Sequence, residues 1–435
     1  MTRLHPTPKA ASSCHMKSKR QSVLITPPAH ALSGKLALPG SKSITNRALL
    51  IAALAKGESH LTGALSSDDT RYMAEALAQM GVGITQDTPT TYHIKSSGKL
   101  QPPSKPLFLG NAGTATRFLT AAAANVQGTV VIDGDEHMRK RPIGALVTAL
   151  RALGISAEDT KGCPPVTVHG KGGFTAARVE IDGSLSSQFI SAVMMAAACS
   201  KQPLEIVVPQ GDIGGAGYIG ITQAVMESFG GKVEALGKGT WRIHPTGYKA
   251  RAYAVEPDAS AATYLWAMEK LTGGKIDLGT DPAKMLQPDA KAWNVIQQFP
   301  HMPAVIEGSQ MQDAIPTLAV MAALNTTPVR FTGIANLRVK ECDRVSALST
   351  ELNKIRPGLA REEGDDLIVN ADPTLAGQNL PTRIHTYSDH RIAMSFALAG
   401  LKIAGITILD PDCVAKTYPL YWDDLAALGV TLQFA

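Results

Sequence analysis

One pattern recurs six times along this chain of 435 residues. A short strand leads into a polar turn rich in Gly, Ser, Asn or Asp. An Ala-, Leu- and Met-rich helix follows, then Gly or Pro and a β-branched strand. The copies begin at Pro39, Leu109, Asp182, Glu256, Ser309 and Tyr387. A second, amphipathic helix comes after each, and the clearest are expected over 70–80, 143–153, 218–229 and 421–428. Glycine after the last periodic residue marks a left-handed C-cap. Short strands are expected at 165–168 and 241–243. At roughly 55–75 residues the unit exceeds the periods of stacked solenoids, so the units are expected to gather into globular groups.

The fold class is therefore α/β, with two domains of three units each. The seam is expected near 255–258, with a second crossing near 36–39. Residues 22–38 plus 258–435 then form one domain, closed by an N-terminal strand over 23–26, and 39–257 form the other. Residues 1–21 read as a disordered basic tail carrying Arg3, Lys9, Lys17, Lys19 and Arg20, with Met16 an alternative start.

Composition narrows the function classes. A chain with 44% hydrophobic and 18% charged residues is neither disordered nor a coiled coil. A net charge of +5 falls short of a nucleic-acid binder but suits anionic small-molecule substrates wherever the basic residues converge. Cys14, Cys163, Cys199, Cys342 and Cys413 are scattered, with no metal-ligand spacing. They read as reduced thiols of a cytoplasmic protein. No apolar run is long enough to span a bilayer. Neither a membrane nor a nucleic-acid partner is expected, nor a metal.

In every unit the polar turn falls where a helix starts. Unpaired N–H groups and the positive end of the helix dipole suit phosphate or carboxylate there. The same residues also serve as plain N-caps. Basic residues at these turns favour the anion reading: Lys42 and Arg47 at the first, Arg117 after the second, Arg391 in the sixth. Ser186, Ser187 and Gln188 open the third with hydroxyl and amide donors. Residues 338–344 pack Arg338, Lys340, Glu341, Asp343 and Arg344 behind the strand expected at 329–332. Such a mixture can clamp an anion and move a proton.

Taken together, these segments closely resemble the 5-enolpyruvylshikimate-3-phosphate synthase family. The resemblance rests on Leu109-Gly110-Asn111-Ala112-Gly113-Thr114-Ala115 with Arg117, on 338–344, and on Gly40-Ser41-Lys42-Ser43 with Asn46-Arg47. Ser186-Ser187-Gln188, Asp389-His390-Arg391 and Ala415-Lys416-Thr417 complete it, over residues 36–428. It implies two domains of three βαβαββ units, with the active site in a cleft between them that closes on substrate. It also implies carboxyvinyl transfer from phosphoenolpyruvate to the 5-hydroxyl of shikimate 3-phosphate, with release of phosphate and no cofactor. A monomer is expected.

Carried over position by position, the resemblance assigns phosphoenolpyruvate to Lys42, Asn111, Gly113, Arg141, Gln188, Arg344, Arg391 and Lys416. It assigns shikimate 3-phosphate to Lys42, Ser43, Arg47, Ser186, Ser187, Gln188, Asp313, Asn336 and Lys340. Asp313 is the expected base for the 5-hydroxyl and Glu341 the expected acid toward the vinyl carbon. Lys42 balances charge between them. His390 is expected to orient neighbours or shield charge. Two phosphates and two carboxylates carry roughly −5 to −6 at neutral pH, which accounts for so many cations.

Two positions depart from the family. Gly215 stands where a phosphate-binding serine is common, and Phe118 where a proline is common. The rival readings are carboxyvinyl transfer to UDP-N-acetylglucosamine and a non-catalytic phosphate-ligand sensor on the same scaffold. The sister family usually carries a cysteine on a loop of the second unit, and no cysteine occurs here between Cys14 and Cys163. A sensor could lose Asp313 or Glu341, and both are present.

Overall fold

A computed structural model describes residues 20–211 and 213–435. Residues 1–19, with Cys14, Met16 and most of the basic tail, lie outside the described residues.

Among the described residues six sheets follow from the six units. Three share one order: a first strand parallel to a second, the second antiparallel to a fourth, and the fourth antiparallel to a third. In the second unit these are Leu107–Phe108, Gln127–Asp133, Cys163–Lys171 and Ser156–Thr160. The strand expected at 165–168 is part of Cys163–Lys171.

Distant parts of the chain complete the other sheets. In the sixth, the N-terminal strand Ser22–Thr26 occupies the fourth-strand place, antiparallel to both Ala404–Leu409 and Thr431–Phe434. In the first, Tyr248–Lys249 and Ala252–Ala254 return from behind the third unit to lie parallel to Ala55–Thr62. The fourth unit is abbreviated. Lys275–Asp277 pairs only with Ser33–Lys35, and two 3-10 turns and the short helix Ala292–Ile296 stand where a hairpin would be. Pro282 and Pro288, each opening one of those turns, have no N–H to give to a ladder.

The first helices of the units lie innermost, and their sequences say why. Gly113–Ala122 is buried at every residue and Ser187–Ala197 at all but Gln188. A helix apolar or small on all faces is stable only when surrounded. The second helices are one-sided. Asp68–Gln79 buries Met73, Ala76 and Leu77 and leaves Arg71 and Glu75 outside. Gly81, Gly154, Gly230 and Gly429 follow such helices with positive φ, as the C-cap expectation requires.

Buried apolar residues form two separate clusters. One runs from Ile44 to Val255; the other joins Val23, Ile25 and Leu32 to residues from Ala261 to Val430. The two crossings between these halves lie side by side, with Gly40 bridged to Pro257. Ser41 N donates to Glu256 O at 2.9 Å and Asp258 N to Pro39 O at 2.8 Å. A Cβ at Gly40 would meet Gly63 O at 2.0 Å, so glycine is required there. Asp258 caps helices in both halves, accepting from Ala261 N at 2.9 Å and Lys42 N at 3.2 Å. No helix among the described residues is long and apolar enough to cross a membrane.

The N-terminal strand makes a test of the second half. Ile25 is fully buried, and its side chain packs where a Cβ on Gly400 would be 2.8 Å away. Ile25→Ala is expected to destabilise this half by about 2–4 kcal/mol. The readout is the shift of the urea unfolding midpoint.

Candidate active site

Helix starts from both halves meet in one cavity. It is lined by Lys42, Asp69, Gly113, Thr114, Arg141, Gln188, Asp313, Lys340, Glu341, Arg344 and Arg391. Lys42, Gly113 and Arg391 each lie within the first two residues of an inner helix. Arg344 opens the second helix of the fifth unit. Some starts are capped by a side chain: Ser41 Oγ accepts from Ile44 N, Ser186 Oγ from Gln188 N and Asp389 Oδ1 from Arg391 N. Gly113–Ala122 has no side-chain cap. The N-cap reading therefore holds at the helices that Ser41, Ser186 and Asp389 open, and the first N–H groups of Gly113–Ala122 are left without a side-chain cap.

Ion pairs bind the cavity into one network. Arg344, about 1% exposed, donates from Nε to Asp389 Oδ2 at 2.7 Å, from Nη2 to Glu341 Oε2 at 2.7 Å and from Nη1 to Asp313 Oδ1 at 3.1 Å. Arg391 Nη2 holds the other Asp313 oxygen at 2.8 Å. Glu341 Oε1 faces Lys416 Nζ at 3.1 Å and Arg141 Nη1 at 3.8 Å. Lys42 Nζ lies 3.7 Å from Asp69.

This network crosses between the halves and leaves little space. Lys416 Nζ donates to Asn111 O at 2.9 Å, and Asn111 Oδ1 accepts from Arg141 at 3.1 Å. The cavity has a volume of only about 30 Å³, and its charges meet one another directly. Gly113 allows that approach: a Cβ there would sit 2.8 Å from the Arg141 guanidinium.

The charges set the protonation states. Burial pushes the Asp313 carboxyl up, but Arg391, Lys340, Arg344 and Lys42 outweigh it and hold it well below the usual range. Glu341 is likewise lowered, with Lys416, Arg344 and Arg141 overcoming burial. Burial and the Arg344 charge bring Lys340 down to about 8, against the pull of Asp313 and Glu341. His390 is fully buried with neither ring nitrogen hydrogen-bonded, Nδ1 lying 3.8 Å from Asp389 Oδ1. Burial and the adjacent Arg391 hold it well below the usual imidazole range, so the ring is neutral and lacks the acidic imidazolium proton. Among the described residues no cluster of three His, Cys, Asp or Glu is arranged to hold a metal ion.

Not every expected residue reaches the cavity. Arg47 lies on the Lys42–Leu54 helix with its side chain buried, donating to Thr222 Oγ1 at 2.7 Å and Ser43 O at 2.9 Å. Its guanidinium lies 5.0 Å from the Phe118 ring, which gives that departure from the family pattern a packing role. Ser43, Asn111, Ser186, Ser187, Asn336 and Lys416 lie outside the lining, Asn111 and Lys416 facing a neighbouring cavity; Asn336 Oδ1 is buried without a hydrogen-bond partner. Asp313 sits in a 3-10 turn and does not cap the Ile315–Ala323 helix, whose start is Ala314. Gly215 has φ 74°, which a serine would adopt only under strain.

Sequence reasoning left out Asp69, Asp389 and Thr114 as site residues. Asp389 stood within a quoted motif. Asp69 shows no signal beyond an acid in a first helical turn. Arg117, also quoted, is a positioning group: it donates to Gln188 Oε1 at 2.6 Å, and Gln188 Nε2 donates to Thr114 Oγ1 at 3.3 Å.

Two sets of units, each with its own apolar core, thus meet around one charged cavity. The model of the family described as EPSP synthase (3-phosphoshikimate 1-carboxyvinyltransferase) matches residues 26–425. A 3-phosphoshikimate 1-carboxyvinyltransferase of Rhizobium leguminosarum bv. trifolii is 65% identical over 96% of this chain and 99% of its own length. One from Pseudomonas syringae pv. syringae is 62% identical over 95% and 99%. A solved structure of EPSP synthase from Acinetobacter baumannii superposes with a TM-score of 0.77 at 25% identity, covering 95% of this chain and all of that one. The chain belongs to the EPSP synthase family.

The lowered carboxyls predict an acid dependence. A depressed carboxyl contributes stability that is present above its unfolded value, about 4.3 for Glu, and lost as pH falls through its folded value. Glu341→Gln is therefore expected to be less stable than wild type at neutral pH. Urea midpoints from pH 8 to 3 are expected to converge as acid removes the wild-type advantage.

Proposed function

We propose that this chain transfers the carboxyvinyl group of phosphoenolpyruvate to the 5-hydroxyl of shikimate 3-phosphate, releasing phosphate. The observation that carries the reading is five cations and three carboxylates lining one cavity between two halves. That is a site built for small polyanions and for moving protons. The names of the relatives point to the same reaction.

In this reading residues 22–38 with 258–435 form one domain and 39–257 the other, following the two apolar cores. The halves part to admit two substrates. Arg141, Arg344, Arg391 and Lys416 take the phosphate and carboxylate of phosphoenolpyruvate, with Asn111, Gly113 and Gln188 beside them. Lys42 and Lys340 meet the shikimate ring, with Ser43, Ser186, Ser187 and Asn336 completing its site. Arg47, on the Lys42–Leu54 helix, supports that site.

Asp313, held ionised, accepts the 5-hydroxyl proton as the oxygen bonds to C2 of phosphoenolpyruvate. C3 gains a proton, giving a tetrahedral adduct. Loss of a C3 proton and cleavage of the C2–O bond to phosphate then leave the enol ether. Glu341 lies close to the same cations that phosphoenolpyruvate would occupy. When substrate anions draw Lys416, Arg344 and Arg141 away, its carboxyl regains basicity, binds a proton and can pass it to C3. The same group removes a proton in the elimination step. Lys42 offsets the charge that develops between them.

No cofactor or metal is assigned a role. The partners are the two small anions, and we place the enzyme in the cytoplasm as a monomer. Phosphate release from phosphoenolpyruvate is expected with shikimate 3-phosphate and not with UDP-N-acetylglucosamine. Asp313→Ala is expected to lower kcat by about 10²–10⁴-fold, the range of a lost general base. Release with the nucleotide sugar instead would overturn the reading.

Lys340 sets a second expectation. Because kcat/KM reports the free enzyme, its value for shikimate 3-phosphate is expected to fall as pH rises through about 8. Lys340→Arg, whose side chain stays charged, is expected to lose that limb even at lower activity.

A further inference from the structure

One buried carboxylate has no place in the chemistry above. Asp289 lies in the 3-10 turn Pro288–Lys291 of the abbreviated fourth unit and is fully buried. Its Oδ2 accepts from Ser260 Oγ at 3.0 Å, at the start of the Ala259–Thr272 helix. The same oxygen accepts from the Tyr218 hydroxyl at 2.5 Å. Tyr218 belongs to the opposite half, as the second residue of the Gly217–Ser228 helix. Oδ1 is buried without a partner. The groups facing the carboxylate are thus Tyr218, Ser260, Asp313 and Arg391. Burial and the Asp313 charge push it up to about 6, so near neutral pH it is largely ionised. A hydroxyl bonded to a carboxylate at this length is among the stronger hydrogen bonds.

Neighbouring contacts make this a built joint. Gly217 N donates to Gln310 Oε1 at 3.0 Å, again across the halves. A Cβ on Gly217 would sit 2.8 Å from Pro288 Cβ, so the two turns are pressed together. Gly215 comes near the opposite half as well, since a Cβ there would lie 3.5 Å from Gln312 Nε2. The glycine-rich turn at 214–217, which departs from its family in sequence, is shaped to seat against the other half.

We propose that Asp289 is a positioning residue for the transferase reaction: through Tyr218 it latches the turn at 214–217 to the opposite half and holds Gln188 and Asp313 in one cavity. It touches neither reacting atom. Its effect is on the fraction of enzyme that is closed, and apparent affinity falls in proportion to that fraction. Once substrate saturates the cleft, the bound state is closed and turnover proceeds. The latch therefore acts on KM and leaves kcat nearly alone.

The kinetic arm rests on the transferase reading, and scattering from the unliganded full-length chain does not. Wild type, Asp289→Ala, Asp289→Asn, Tyr218→Phe and the Tyr218→Phe/Asp289→Ala double variant are compared. Asp289→Ala and Tyr218→Phe are each expected to raise KM for shikimate 3-phosphate about tenfold with kcat within about threefold, the scale of one charge-assisted hydrogen bond. The double variant is expected to be no worse than either single, because both remove one bond. Asp289→Asn keeps an oxygen acceptor and is expected to restore KM to within about threefold of wild type. The radius of gyration is expected to increase in Asp289→Ala and Tyr218→Phe and to stay compact in Asp289→Asn. An unchanged KM and radius in Tyr218→Phe, additive effects in the double variant, or Asp289→Asn as impaired as Asp289→Ala would each overturn the latch. If wild type releases no phosphate, the transferase reading falls by itself and the scattering series still decides the latch.

Discussion

The guanidinium of Arg344 is the joint on which the site turns. Buried among Asp389, Glu341 and Asp313, it is a cation that would be very costly to place there unpaired. Each of those carboxylates is shared in turn: Asp313 with Arg391, Glu341 with Lys416 and Arg141, Asp389 with the first turn of the His390–Gly400 helix. Removing one member strands its neighbours, so the network stands or falls as a unit. It is also exchangeable. A phosphate or carboxylate of suitable shape can take an arginine fork from a side-chain carboxylate without a net loss of pairing. In the proposed reaction the cations are thereby held ready for substrate, and the displaced carboxylates become bases.

The fold exists to bring these groups together from far apart. Lys416 and Asn111 touch across 305 positions of chain, and Arg391 and Asp313 across 78. Helices of small residues pack side by side with their starts at one end, which concentrates N–H groups and basic side chains in a gap. Bringing like charges so close requires ties elsewhere. The paired crossings at Gly40 and Pro257, the double cap of Asp258 and the Tyr218–Asp289 bond supply them.

Much of this was legible in the sequence. The second-helix spans expected at 70–80 and 143–153 appear as Asp68–Gln79 and Gly144–Ala152, and the strand expected at 329–332 is Val329–Thr332. The strand expected at 23–26 pairs with the last sheet. These are properties of local periodicity, glycine stops and turn residues, which act over a few neighbours. Lys42, Gly113, Gln188, Arg344 and Arg391 converge because they sit in the first turns of helices, and helix starts are readable; Arg141, Asp313, Lys340 and Glu341 stand in the turns that precede such helices.

What the chain alone determined is the count of units, the helices that must be buried and the turns that carry charge. Each depends on a residue's own neighbours along the backbone. Tertiary structure decided the rest. Arg47 looks like any other cation after Lys42, yet only the packing of Thr222 and Phe118 turns it inward. Asp69 and Asp289 look like ordinary surface acids, and acquire meaning only from Lys42, Lys416 and Tyr218 placed beside them by other parts of the fold. A side chain's charge is written in the sequence; its partner is a matter of distance, and distance between remote residues is set only when the cores have packed.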